Sequence, residues 1–220
     1  MPTPRVDRER LTAALEEAVR ESGAPGAAAC VGDVHGVAWA AAVGLRQRYP
    51  VAVPNTLDTL YDLASLTKVM ATTTAVLQLR DARALSLDDP VARWLDYPRF
   101  RRITLRHCLT HTAGFVGYRT WYTDLTSMDD AVARAAQETL SGPPGTSRRY
   151  SDIGFMLLGR VVERVTGETL DTYCARAIFH PIGLRATQFN PGPAGRERAA
   201  PTELCAWRDR LIQGEVHDEN

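Results

Sequence analysis

The 220-residue chain balances 26 basic against 26 acidic residues and is 45% apolar, with 24% charged. That content can bury a core in one domain or two small ones, and with no basic stripe interleaved with aromatics it proposes no nucleic acid or other polyanion as a partner. No apolar run approaches membrane-spanning length.

The N-terminal "MPTPRVDRERLTAALEEAVRESG" places charges where a secretory signal would have its apolar core, so the chain as given is expected to be cytoplasmic. Within it, Leu11, Ala14, Leu15, Ala18 and Val19 predict an amphipathic helix that stops near Ser22-Gly23. "GAAACVGDVHGVAWAAAVG" has two apolar runs around a turn-rich tetrad and predicts paired strands near 27–32 and 37–43. Beyond these no strand is predicted. Leu66, Val69, Met70, Thr73 and Leu77 have helical spacing and predict a buried helix with Ser65 at its N-terminus.

Asp89-Pro90 before "VARWL" reads as a cap followed by proline at the first helical position. Thr104 caps "LRHCLTH" with Gly114 as its stop, and Ser127 opens "MDDAVARAAQETL". "SGPPGTSRRY" is a loop, and "DIGFMLLGRVVERVTG" is a strongly apolar helix ended by Gly167. The chain thus reads as one domain: a helix and hairpin over 1–50, a mostly helical region over 51–190, and a tail over 191–220.

Among 25 arginines there is one lysine, Lys68. Guanidinium stays charged at physiological pH, whereas a lysine ammonium can lose its proton and act as a base. Ser65 lies three residues earlier, on the same helical face, where the helix N-terminus favours negative charge. This is the arrangement of an activated serine nucleophile, although S-x-x-K alone also describes a capping serine and a solvated lysine. Tyr150 in "RRYSDIGF", just ahead of the apolar helix, reads either as a packing tyrosine or as a phenol sharing a proton with Ser65 and Lys68.

Cys30, Cys108, Cys174 and Cys205 are far apart in apolar surroundings and read as reduced, buried thiols. His107 and His111 are four apart but lack the intervening Glu of H-E-x-x-H, so no metal site is claimed. His35, His180 and His217 receive no role. No cofactor is implied.

Taken together and in order, "SLTK", "LRHCLTHTAGF", "YSDIGFMLLGRVVERVTG" and "HPIGLRATQF" resemble the serine β-lactamase and penicillin-binding-protein superfamily, with most similarity to class C β-lactamase-like esterases and D-alanyl-D-alanine peptidases. The resemblance runs from the first helix to about Phe189. It implies an α+β, β-lactamase-like fold, a helical domain plus an antiparallel sheet. It further implies that Ser65 is the nucleophile and that its backbone N–H is half of the oxyanion hole. Lys68 would be the base and Tyr150 the proton relay. "LTHTAG" would be a structural turn near the site, with His111 a hydrogen-bonded core histidine.

Two departures from the pattern matter. Where the family usually has Y-x-N, this chain has Asp152, which as a carboxylate only accepts hydrogen bonds, so an ester is expected over a β-lactam acylamide. The charge of Asp152 is also expected to raise the Lys68 pKa. The third motif, K-T-G or H-x-G, is absent, and "GEVHDEN" has the look of a loop cut before the next element. The chain is therefore expected to be C-terminally truncated, helix-dominated, a weak catalyst, and prone to self-association through open sheet edges. Substrates implied are small acyl esters, β-lactams or short peptides. The alternative is an inactive family fragment that binds a ligand or pairs with another chain.

Overall fold

In the computed structural model, which describes residues 6–117, 119–121 and 125–217, the first helix forms as expected. The Asp7 carboxylate accepts from the Arg10 N–H at the start of α1 (Arg8–Ser22), and Gly23, at φ +71°, ends it in the left-handed region. The hairpin follows as β1 (Gly26–Asp33) and β2 (Gly36–Gln47), antiparallel in the register Cys30 opposite Ala40, with an irregularity at Val31/Gly32.

The expectation of no further strand is corrected. β3 (Val53–Pro54) pairs with β2, giving a three-stranded sheet in the order β1-β2-β3. The presumed tail also folds: α7 (Pro193–Arg198) is followed by β4 (Glu203–Cys205) and β5 (Arg210–Ile212), an antiparallel pair. Strands of two or three residues are too short for alternation to register in a sequence. Their order comes from long-range partners instead. Asn55, buried, donates from Nδ2 to the Ala27 carbonyl at 2.9 Å and accepts from the Tyr61 hydroxyl at 2.8 Å. The Leu60 N–H donates to the Arg198 carbonyl, and the Ala200 N–H to the Leu60 carbonyl.

These elements form one compact unit, Met1–Asp62 with Asn190–His217; the other is Leu63–Phe189. The second unit is helical. A π-helical turn (Lys68–Thr73) runs into α2 (Thr74–Asp81), and α3 (Leu105–Leu109), α4 (Met128–Gln137) and α5 (Asp152–Thr166) follow. α6 (Leu170–Cys174) continues into a second π turn, Ala175–Phe179. With antiparallel strands in one unit and helices dominating the other, the fold is α+β.

Caps explain several of these boundaries. Thr104 and His107 form a reciprocal capping box, the Thr104 hydroxyl accepting from the His107 N–H and His107 Nδ1 accepting from the Thr104 N–H. The helix stops at Leu109 rather than near Gly114, because the chain turns at His111, φ +58°. Ser127 caps α4 through the Asp130 N–H, and Gly167 ends α5. The Asp89 cap is corrected: "VARWL" makes only a 3₁₀ turn at Val91–Arg93, and the Asp89 carboxylate accepts from the Ser86 N–H and from Arg93.

The core of this unit centres on α5, whose Leu157, Leu158, Val161 and Val162 are fully buried against α2, α3 and α4. Leu158→Ala leaves a cavity there and is expected to cost about 2–5 kcal/mol, roughly 10 °C in Tm. Thermal unfolding by circular dichroism checks this, and a shift below 2 °C would mean that the site collapses around the smaller side chain.

Candidate active site

The chain enters the helix that carries Lys68 through successive turn bonds: Leu66 N–H to Leu63 carbonyl, Thr67 N–H to Ala64 carbonyl, Lys68 N–H to Ser65 carbonyl. Ala64 takes φ +44°, an uncommon value for a residue with a Cβ, so backbone strain sits immediately before Ser65. Lys68 then opens the π turn, a feature frequent at functional sites. The Thr74 hydroxyl donates to the Val69 carbonyl, five residues back, along this widened turn.

The buried stripe differs from the expected one. Ala71, Thr72, Ala75, Val76 and Leu79 face the core, whereas Leu66 and Val69 are exposed. Small side chains at 71, 72 and 75 let α5 pack closely, and side-chain size, rather than apolarity alone, chooses the face. This leaves Ser65 exposed at the helix start, with the Lys68 ammonium donating to its Oγ at 3.1 Å. The S-x-x-K spacing brings the two groups together as expected.

α5 supplies the next element. Asp152 is its first residue, where a carboxylate complements the helix N-terminus, and Oδ1 lies 2.6 Å from Lys68 Nζ. The contact is an ion pair by distance but is not aligned as a hydrogen bond, and it is largely withdrawn from solvent, the two side chains being 15% and 23% exposed. Burial by itself lowers the Lys68 pKa, but the contacts with Asp152 and Tyr150 outweigh it and hold the ammonium above its ordinary value. Lys68 Nζ also lies 5.2 Å from the Tyr150 ring and 5.8 Å from the Phe155 ring.

Tyr150 is half exposed, beside Lys68, and its ring packs on that of His111 at 4.4 Å. His111 also contacts Phe155 at 5.2 Å, and its Nδ1 accepts from the Ser151 N–H at 3.2 Å. Burial first, then the charge of Lys68, push the His111 pKa down, so the ring is neutral at pH 7 and Nδ1 keeps its lone pair. Ser65, Lys68, Tyr150 and Asp152 are thus one constellation. Phe155 was not anticipated, although a residue three after Asp152 shares its helical face.

Among the described residues no group of His, Cys, Asp and Glu could hold a metal ion, and no helix is long and apolar enough to cross a membrane. The four cysteines are free. Burial pushes the Cys108 thiol up to about 12 and Cys174 to about 11, but Cys30 is exposed on the outer strand β1, contrary to the expected burial.

A family model described as Beta-lactamase matches residues 11–213. Penicillin-binding protein 4 of Amycolatopsis lactamdurans is 36% identical over 193 residues, covering 82% of this chain and 49% of that protein. Esterase EstB of Burkholderia gladioli is 35% identical over 205 residues, covering 82% and 51%. The solved structure of EstCE1, titled a hydrolase with promiscuous acyltransferase activity, aligns at TM-score 0.77 and 26% identity over 96% of this chain and 59% of that one. The chain spans about half the length of the curated relatives it matches.

Proposed function

The chain belongs to the β-lactamase family, and from that premise we propose that it carries the nucleophile, base and relay of a serine hydrolase. One observation carries the reading: a single lysine ammonium bridges the Ser65 hydroxyl, at 3.1 Å, and the Asp152 carboxylate, at 2.6 Å. Ser65 Oγ attacks the acyl carbonyl, and its proton passes to the Lys68–Tyr150 pair, which returns it to the leaving group. The Ser65 backbone N–H is half of the oxyanion hole. In the resting state Lys68 is a donor to Oγ, so it must first give up a proton, and Asp152 and Tyr150 are the groups beside it.

An ester is the favoured substrate. Asp152 offers no N–H to an acylamide carbonyl. A second reading, a family member that binds an acyl ligand or a partner chain without turning over, draws on the same charged lysine, since an ammonium is no base.

Intact mass after incubation with a fluorophosphonate and, separately, with a penicillin separates them. The expected result is a phosphonyl adduct that Ser65→Ala abolishes and a slower or absent penicilloyl adduct. No adduct with either reagent would favour the second reading. A penicilloyl adduct formed as fast as the phosphonyl one would remove the ester preference.

A further inference from the structure

We propose that His111 is a positioning residue that clamps Tyr150 in its working orientation, a role that rests on the acyl-enzyme reading above. Three contacts converge. The His111 carbonyl accepts from the Arg149 N–H at 2.9 Å, its Nδ1 accepts from the Ser151 N–H at 3.2 Å, and its ring lies on the Tyr150 ring at 4.4 Å. The backbone is therefore held on both sides of the phenol, once by main chain and once by imidazole standing in for a carbonyl. The same side-chain bond fixes Ser151, the N-cap residue immediately before α5.

The clamp depends on an unusual backbone. At φ +58° the His111 side chain and carbonyl both reach the 149–151 segment, a conformation that asparagine and histidine adopt more readily than most residues. The turn itself is tied down around it: the Thr112 N–H donates to the His107 carbonyl, the Gly145 N–H to the Thr112 carbonyl, and the Ser141 N–H to the Gly114 carbonyl, each at 2.8 Å. Gly114 sits at φ +86°, and a Cβ there would come within 2.5 Å of the Gly142 carbonyl oxygen, so the approach of the two loops needs glycine. The neutral imidazole keeps Nδ1 as acceptor and leaves the proton on Nε2.

Two variants separate the contacts. His111→Asn retains an acceptor at the same branch of the side chain and tolerates positive φ, whereas His111→Ala loses both acceptor and ring. In the full chain, fluorophosphonate labelling of Ser65 is expected to slow roughly 10- to 100-fold in His111→Ala, the scale of a misplaced catalytic group, with partial rescue in His111→Asn. A merely structural role would cost the same with or without the phenol. A positioning role requires that, in a Tyr150→Phe background, His111→Ala add no more than about a further twofold.

A ¹⁵N spectrum of the histidine rings, with His111 assigned by its disappearance in His111→Asn, supplies a readout independent of labelling. It should show His111 with bare Nδ1 and protonated Nε2. Equal losses in both backgrounds, or a proton on Nδ1, would overturn the clamp. A wild-type chain that takes no label overturns the acyl-enzyme reading instead, and the nitrogen spectrum alone then decides the clamp.

Discussion

Lys68→Arg is expected to label with a fluorophosphonate as slowly as Lys68→Ala, each about 10²–10⁴-fold below wild type, the contribution typical of a general base. Both variants remove the proton acceptor, but only one removes the charge. A guanidinium at position 68 keeps a cation beside Asp152, where the carboxylate now lies 2.6 Å from Nζ, so Lys68→Arg should preserve the ion pair and fold. It cannot give up a proton at any working pH. The chain's use of arginine at 25 other basic positions argues the same way, since a cation alone would not have required lysine here. Rates measured at matched Tm decide the matter. Labelling by Lys68→Arg within a few-fold of wild type would sink the base assignment and move the proton acceptance to Tyr150.

The second large effect is in the pH profile of Asp152→Asn. Two opposed influences act on Lys68: burial pushes its pKa down, whereas Asp152 and Tyr150 push it up and prevail. With a folded pKa above the ordinary 10.5, the wild-type free amine is scarce at neutral pH, and its labelling rate should rise about tenfold per pH unit through pH 7–10. Replacing the carboxylate by an amide removes the contribution of Asp152 and leaves the burial. Lys68 should then titrate lower, and the rising limb should move to lower pH, so labelling at pH 7–8 becomes faster.

The linked stability effect has a definite sign. A raised lysine pKa contributes stability that is fully present below its unfolded value and is lost as pH rises through the folded one, so the Asp152 contribution is present at neutral pH and disappears above about 10.5. Asp152→Asn should accordingly lower Tm at pH 7 and converge with wild type in strong base. Superimposable rate profiles would show that Asp152 does not control Lys68. A slower variant at every pH would identify Asp152 as the group that takes the lysine's proton.

Much of this site was legible in the sequence because its parts are local. Ser65 and Lys68 are three apart, so one helical turn places their side chains together whatever surrounds them. Asp152 follows Tyr150 by two residues at the mouth of a helix whose apolar stripe and terminal Gly167 identify it without any tertiary contact. The Asp7 to Gly23 helix, the hairpin and the Ser127 cap are local in the same sense, each written by periodicity or by a side chain that satisfies a nearby N–H.

What only the tertiary structure decided depends on residues far apart in the chain. The exposure of Leu66 and Val69 reflects the closeness of α5, which small side chains permit and which no helical period encodes. β4 and β5 are too short to announce themselves and exist through their pairing with each other, extended by the bond from the Thr202 N–H to the Ile212 carbonyl. His111, read as a core histidine, is 40 residues from the Ser151 N–H that it accepts, and its positive φ is imposed by the turn in which it sits. Local spacing determines which chemistry the chain can hold. Long-range packing determines how its side chains are placed, because the ring against Tyr150 and the acceptor for the Ser151 N–H both come from His111, 40 residues from Ser151 in the chain.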